Sequence, residues 1–141
     1  MTISDPSPPN AANFSLRHYS VLNALQLDLI ECPPEADVRA IARTMAEHAV
    51  HCVVVRHIEP DSWGIVSDLD LMAAMRPTLA DATAAQIAAT DLLIVKPDDT
   101  LEHAAQLMAE HQTSHAVVVD PDTDQPVGIL STLDIARWAG R

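Results

Sequence analysis

Glycine occurs only three times in the 141 residues, and aromatic residues make up 3%. An interior of stacked rings is thereby excluded, and the core has to be aliphatic, assembled from Ala, Val, Ile, Leu and Met. Cysteine is equally scarce. Cys32 and Cys52 are the only two and no Cys-x-x-Cys occurs, which excludes a disulfide framework and a four-cysteine zinc site; both are expected as reduced, buried thiols. Basic residues number 8 against 20 acidic ones, a formal net charge of −12, and Lys96 is the only lysine. Such a field repels polyanions, so no nucleic-acid partner is expected. No apolar run approaches the roughly 20 residues of a membrane-spanning helix, and the opening MTISDPSPPN lacks the basic-then-apolar order of a secretory signal. The sequence predicts a cytoplasmic chain with no membrane partner. Gly-x-Ser-x-Gly, Walker and Gly-x-Gly-x-x-Gly patterns are all missing, so an enzyme is not expected.

What is present is a unit written twice. A shift of 63 residues lays Pro34 on Pro97, Ala42 on Ala105, Met45-Ala-Glu-His48 on Met108-Ala-Glu-His111, and Val54-Val55 on Val117-Val118. One residue later in register, GIVSDLD (Gly64 to Asp70) aligns with GILSTLD (Gly128 to Asp134), five identities in seven. The division expected from this is a mobile tail over 1–19, a first repeat over 20–75, a connector over 76–82, a second repeat over 83–138 and a short end at 139–141. Pro6, Pro8, Pro9, Asn10 and Asn13 mark the tail, where no apolar period appears.

Within each repeat the period changes in one order. Val38, Ile41, Ala42 and Met45, and likewise Leu101, Ala104, Ala105 and Met108, recur at helical spacing. Proline precedes each helix, with Asp37 and Asp98 or Asp99 as expected N-caps. A β-branched run follows, Cys52 to Val55 or Ala116 to Val119; then come a turn, a second strand at Trp63 to Val66 or Val127 to Leu130, and a second helix from Ser67 or Ser131. With a short entry strand at Leu29-Ile30 or Leu92 to Val95, the fold class is α+β: two β-α-β-β-α repeats, too small to bury much alone and expected to pack with pseudo-twofold symmetry.

Chemistry concentrates at the ends of the two Gly-Ile-x-Ser-x-x-Asp segments. Ser-x-x-Asp is a capping box, in which the serine hydroxyl accepts from the third helical N–H and the carboxylate returns to the serine N–H. A carboxylate has lone pairs left for a sugar diol, so Ser67, Asp70, Ser131 and Asp134 are cap and ligand candidates together. Arg137 lies one turn beyond Asp134, where the first repeat has Ala73. His48 and His111 are expected to interact with helix C-termini rather than with a metal.

Taken together, the proline before the first helix, the Met-x-Glu-His ending, the aliphatic strand and the Gly-x-x-Ser-x-x-Asp close make residues 20 to 138 resemble the cystathionine β-synthase (CBS) domain pair, or Bateman module. The resemblance implies a regulatory sensor that binds an adenosine-containing ligand (AMP, ADP, ATP or S-adenosylmethionine) in clefts between the repeats, and it requires no other cofactor. It implies Asp70 with Ser67 in one cleft and Asp134 with Ser131 in the other, holding ribose and lying near phosphate. Val50, Val53 and Ile65, or Ala116 and Ile129, would lie against the adenine; Val95, with Cys32 as its counterpart, would meet the base from the entry strand. Arg137, His115 and His51 are the expected phosphate contacts. A homodimer through helices, with Trp138 at its interface, and an effector protein are the implied partners. The alternatives are a structural homodimerisation module whose clefts stay empty and a nucleotide-hydrolysing enzyme.

Overall fold

The computed structural model describes residues 16–25, 29–60, 62–79 and 81–140. These fall into two compact units, one of residues 29–92 and the other of residues 93–140 with 16–25.

In the first unit, β1 (Glu31–Cys32) pairs in parallel with β2 (Cys52–Arg56), and β2 pairs antiparallel with β3 (Trp63–Ser67). Between β1 and β2 runs α2 (Val38–His48). It begins at Asp37, whose carboxylate accepts from Ala40 N at 2.9 Å, and ends at Ala49, in the left-handed region at φ 53°. The register sets Cys52 opposite Ser67 and Val54 opposite Ile65. Side chains alternate along a strand and opposite residues share a face. Cys32, Val53, Val55 and Val66 therefore pack on Ile41, Met45 and Leu71 in a core on the helix side. Glu31, Cys52, Val54, Ile65 and Ser67 share the other face. Following β3, α3 (Asp68–Ala74) starts at the N-cap Ser67.

The second unit repeats the plan. Its β4 (Ile94–Val95) is parallel to β5 (His115–Asp120), which is antiparallel to β6 (Gln125–Ser131), with α5 (Leu101–His111) before β5 and α6 (Thr132–Ala139) after β6. Val95, Ala116, Val118 and Leu130 face Leu101, Ala104, Met108 and Ile135. The N-cap of α5 is Thr100, which accepts from His103 N at 3.0 Å. The expected aspartate cap is replaced because Asp99 turns back to accept from Lys96 N at 2.8 Å, closing the turn around Pro97. Gln112, at φ 52°, ends α5 as Ala49 ends α2.

Two short helices carry matching backbone bonds to opposite ends of the chain. In α4 (Ala84–Ile87), Ala84 N and Ala85 N donate to Ala36 O and Pro34 O. In α1 (Val21–Ala24), Val21 N and Leu22 N donate to Asp99 O and Pro97 O, the same pattern displaced by one repeat. Each repeat's leading helix thus packs in the other repeat's unit. The compact units are not the sequence repeats: 83–92 folds with the first and 20–25 with the second. Residues 1–15 of the expected tail lie outside the described residues. Its last residues do not behave as a tail: Leu16 is buried, and Tyr19 packs against Trp138 with ring centroids 4.5 Å apart. Leu16 and Tyr19 are three residues apart, so one helical turn presents both to the core. Trp138, expected at a dimer interface, has this partner within its own chain.

No described glycine has a positive φ, so the repeated Gly64 is not there for a turn. A Cβ at Gly64 would stand 2.7 Å from Ala89 O, because Ile65 and Ala89 exchange backbone hydrogen bonds at 3.0 and 2.8 Å along the edge of β3. The close approach at this glycine is made by the chain itself. Gly64→Ala is expected to destabilise the protein by about 1–3 kcal/mol in urea unfolding. Gly140→Ala, whose added Cβ would meet nothing nearer than 3.4 Å, should change stability little.

Candidate functional site

The antiparallel registers carry Ser67 and Ser131 to the last strand residue, so that each caps the helix that follows. In the first box, Asp70 N donates to Ser67 Oγ at 3.1 Å and Ser67 N to Asp70 Oδ2 at 3.0 Å. In the second, Asp134 N donates to Ser131 Oγ at 3.1 Å, while Asp134 Oδ2 accepts from both Ser131 N and Ser131 Oγ at 2.9 Å. All bonds fall on one carboxylate oxygen. Among the described residues the Oδ1 of Asp134 accepts none; its nearest cation is Arg137 Nη1 at 3.9 Å, beyond hydrogen-bond reach. Asp134 is 7% exposed and is the one buried charged residue among those described. A carboxylate so removed from water normally has its lone pairs satisfied. Asp70 is half-buried and its Oδ1 is likewise outside the box.

The remaining candidates divide by sheet face. His115 stands opposite Ser131, and Val117 opposite Ile129, so His115, Ile129 and Ser131 share the face away from the helices. His115 Nδ1 lies 2.8 Å from Ser114 Oγ. In the first repeat Cys52 occupies the place of His115; His51, one residue earlier, lies with Nδ1 2.9 Å from Asp68 Oδ2, while Asp68 N donates to His51 O at 2.8 Å. Ile65 is buried on the same face as Ser67. Val95 is not brought to this group. It is 1% exposed and packs in the helix-side core, as Cys32 does, because its partner Val118 points that way. Its neighbour Ile94, 48% exposed, shares the face of Val117 and Ile129 instead. Val53 and Ala116 also lie on the helix side.

Sequence reasoning missed four residues near these groups: Ile94 in the second unit and, in the first, Asp68 and the Glu31–Arg56 pair, in which Arg56 Nε donates to Glu31 Oε1 at 2.8 Å. Counting alternate residues back from the strand register would have found Ile94 and Glu31. His48 and His111 place Nδ1 2.9 and 2.8 Å from Thr44 O and Leu107 O in the last turns of their helices, as C-terminal residues do. No group of three His, Cys, Asp or Glu able to hold a metal occurs among the described residues. An apolar hollow of about 330 Å³ between α5 and α6, lined by Ala105, Met108, Ala109, Thr113 and Ile135, includes none of the predicted site residues.

With this geometry in view, the comparison with known proteins is decisive for the family. The CBS domain family matches residues 24–77 and again 84–141. The chain belongs to the CBS domain family. No curated protein matches it significantly. CBSX2, solved in complex with AMP, is 24% identical with TM-score 0.72, over 86% of this chain and 96% of that one. The CBS domain pair of MJ0100, solved with 5′-methylthioadenosine and S-adenosyl-L-methionine, is 23% identical with TM-score 0.74, over 86% and 95%. The CBS domain of the bacterial CNNM/CorC family Mg2+ transporter, solved with ATP, is 17% identical with TM-score 0.76, over 93% and 94%. At these identities the likeness establishes the fold. Among the described residues no helix is long and apolar enough to cross a membrane.

Cys32 and Cys52 are buried free thiols. Burial pushes both up to about 11, helped at Cys52 by the charge of Asp68. At pH 8 neither is expected to react with iodoacetamide until the chain unfolds, as mass spectrometry would show. The unfolded thiols ionise near 9.0 and the folded ones near 11, so their contribution to stability is complete below pH 9 and is lost as pH rises toward 11.

Proposed function

We propose that this CBS pair is a regulatory module that binds an adenosine-containing ligand at its Ser-x-x-Asp boxes and acts through a partner protein. The observation that carries this reading is the Oδ1 of Asp134: a carboxylate nine-tenths buried, with one oxygen spent on its own helix cap and the other accepting no hydrogen bond among the described residues. A ribose diol offers the donors that this oxygen lacks. The half-buried Ile129 and exposed Ile94, on the same sheet face as Ser131, would support a purine, with His115 and the exposed Arg137 as phosphate contacts. Asp70 and Ser67 supply the corresponding box in the first repeat, with Ile65 beside them and His51 engaged by Asp68. Related CBS pairs solved with AMP, with ATP, and with 5′-methylthioadenosine and S-adenosyl-L-methionine support the ligand class. CBS domains are regulatory rather than catalytic modules, and a homodimer through the helices belongs to the same proposal.

One observation favours the rival reading, a structural pairing module with nothing bound: each capping box is complete in itself. Thermal unfolding with adenosine, AMP, ADP, ATP and S-adenosylmethionine separates the two. A ligand at a hundred times its Kd adds about 2.7 kcal/mol, which raises the Tm by several degrees; if none does so at millimolar concentration, the sensor reading falls. Asp134→Asn keeps an oxygen for the cap but removes the charge. It is expected to weaken AMP binding by about 1.5–3 kcal/mol, ten- to hundredfold in calorimetry. Asp70→Asn should weaken it less, because Arg137 has no counterpart at Ala73.

A further inference from the structure

The helix faces of the two units differ in relief. Along α3 and its C-cap, Leu69, Met72 and Met75 recur at intervals of three, which lines them up on one side of the helix, and each is more than half exposed. Contiguous long apolar side chains in water mark an interaction surface. The matched places on α6 are Leu133, Ala136 and Ala139. Where the first unit has methionines the second has methyl groups, and the apolar hollow of about 330 Å³ between α5 and α6 opens there, with Ala105, Ala109 and Ala136 in its wall. One unit carries a ridge and the other a groove. Charge divides the same way. Arg39 and Arg43 are exposed on α2, and neither enters an ion pair among the described residues. Glu102 and Gln106 stand at those places on α5, with the exposed Glu110 one turn beyond. Glu102 has Arg17 Nε at 3.7 Å, whereas Glu110 has no cation within ion-pair reach among the described residues. Histidines aside, α2 is formally +1 and α5 −2.

Resting on the homodimer proposed above, we propose that copies of this chain join through unlike units. The ridge of Leu69, Met72 and Met75 on one copy seats in the hollow between α5 and α6 of a second, and the guanidiniums of α2 meet the carboxylates of α5. Methionine side chains are flexible enough to fill an irregular cavity of that kind. Contact between like units would set hollow on hollow, leaving space unfilled, and would bring Arg39 and Arg43 against charges of their own sign. Packing and charge both disfavour it.

Sedimentation velocity on the full chain reads the association, and a short bismaleimide reads the pairing. The wild type should sediment above the monomer mass. Met72→Glu on the ridge and Ala136→Glu in the hollow should each weaken association tenfold or more. Because Cys32 and Cys52 are buried, an introduced thiol is the one the reagent meets. Met72→Cys mixed with Ala136→Cys should cross-link in at least tenfold higher yield than either variant alone. Cross-linking of Met72→Cys to itself as strongly as to Ala136→Cys, or undiminished association in either glutamate variant, would overturn the unlike pairing and leave the homodimer intact. A wild type that stays monomeric at millimolar concentration removes the homodimer itself. Should a glutamate variant lose the wild-type circular dichroism, Arg39→Glu with Arg43→Glu, both at exposed positions, carries the same test. Unlike pairing then weakens tenfold or more, and unchanged association refutes it.

Discussion

Antiparallel pairing of two short strands governs nearly everything else in each unit. Once Cys52 lies opposite Ser67 and His115 opposite Ser131, the period of two decides which aliphatic residues enter the helix-side core and which turn away from it. The same register ends each second strand on a serine, whose hydroxyl is then in place to cap the next helix. A slip of one residue would exchange core for surface along the whole strand and move the serine off its cap. Packing and chemistry are therefore held by one constraint, and neither can drift without the other.

Much of this was legible in the sequence because it is local. Helical spacing at Val38 to Met45 and at Leu101 to Met108, β-branched runs, and Ser-x-x-Asp after an aliphatic strand each act within a few residues, and the duplication made each signal appear twice. The family and the α+β class followed. What escaped depends on register or on distant chain. Val95 and Ile94 are both aliphatic and adjacent, so only the pairing with Val117 and Val118 tells which one enters the core. Thr100 rather than Asp99 caps α5 because a turn three residues long claims the aspartate first. The backbone approach at Gly64 comes from residues 88 and 89, some two dozen positions downstream, which no local pattern announces.

The duplicated halves are both apolar on one face and differ in charge on the other. On the helix side both copies are aliphatic, with Met45 matched by Met108 and Val55 by Val118, while volumes are redistributed elsewhere, Ile41 answering to Ala104 and Val66 to Leu130. Elsewhere Ile94 answers to Glu31, Val119 to Arg56 and Thr132 to Asp68, substitutions that change charge, and the ladder shifts register between Val118 and Val119 where that of the first repeat runs unbroken to Arg56. The boxes themselves survive because the aspartate serves its own helix whether or not anything else is bound, so stability protects the feature while its surroundings change.

The traded helices α1 and α4 bear on how such a molecule arises. Each half is completed by a piece that precedes the other half in the chain, so neither repeat's unit is finished by its own leading helix. Because both pieces belong to one chain the trade is internal, at effective concentrations that short tethers bring to the millimolar range. Inheritance and folding here have different units: the gene repeats one segment, and the protein closes another.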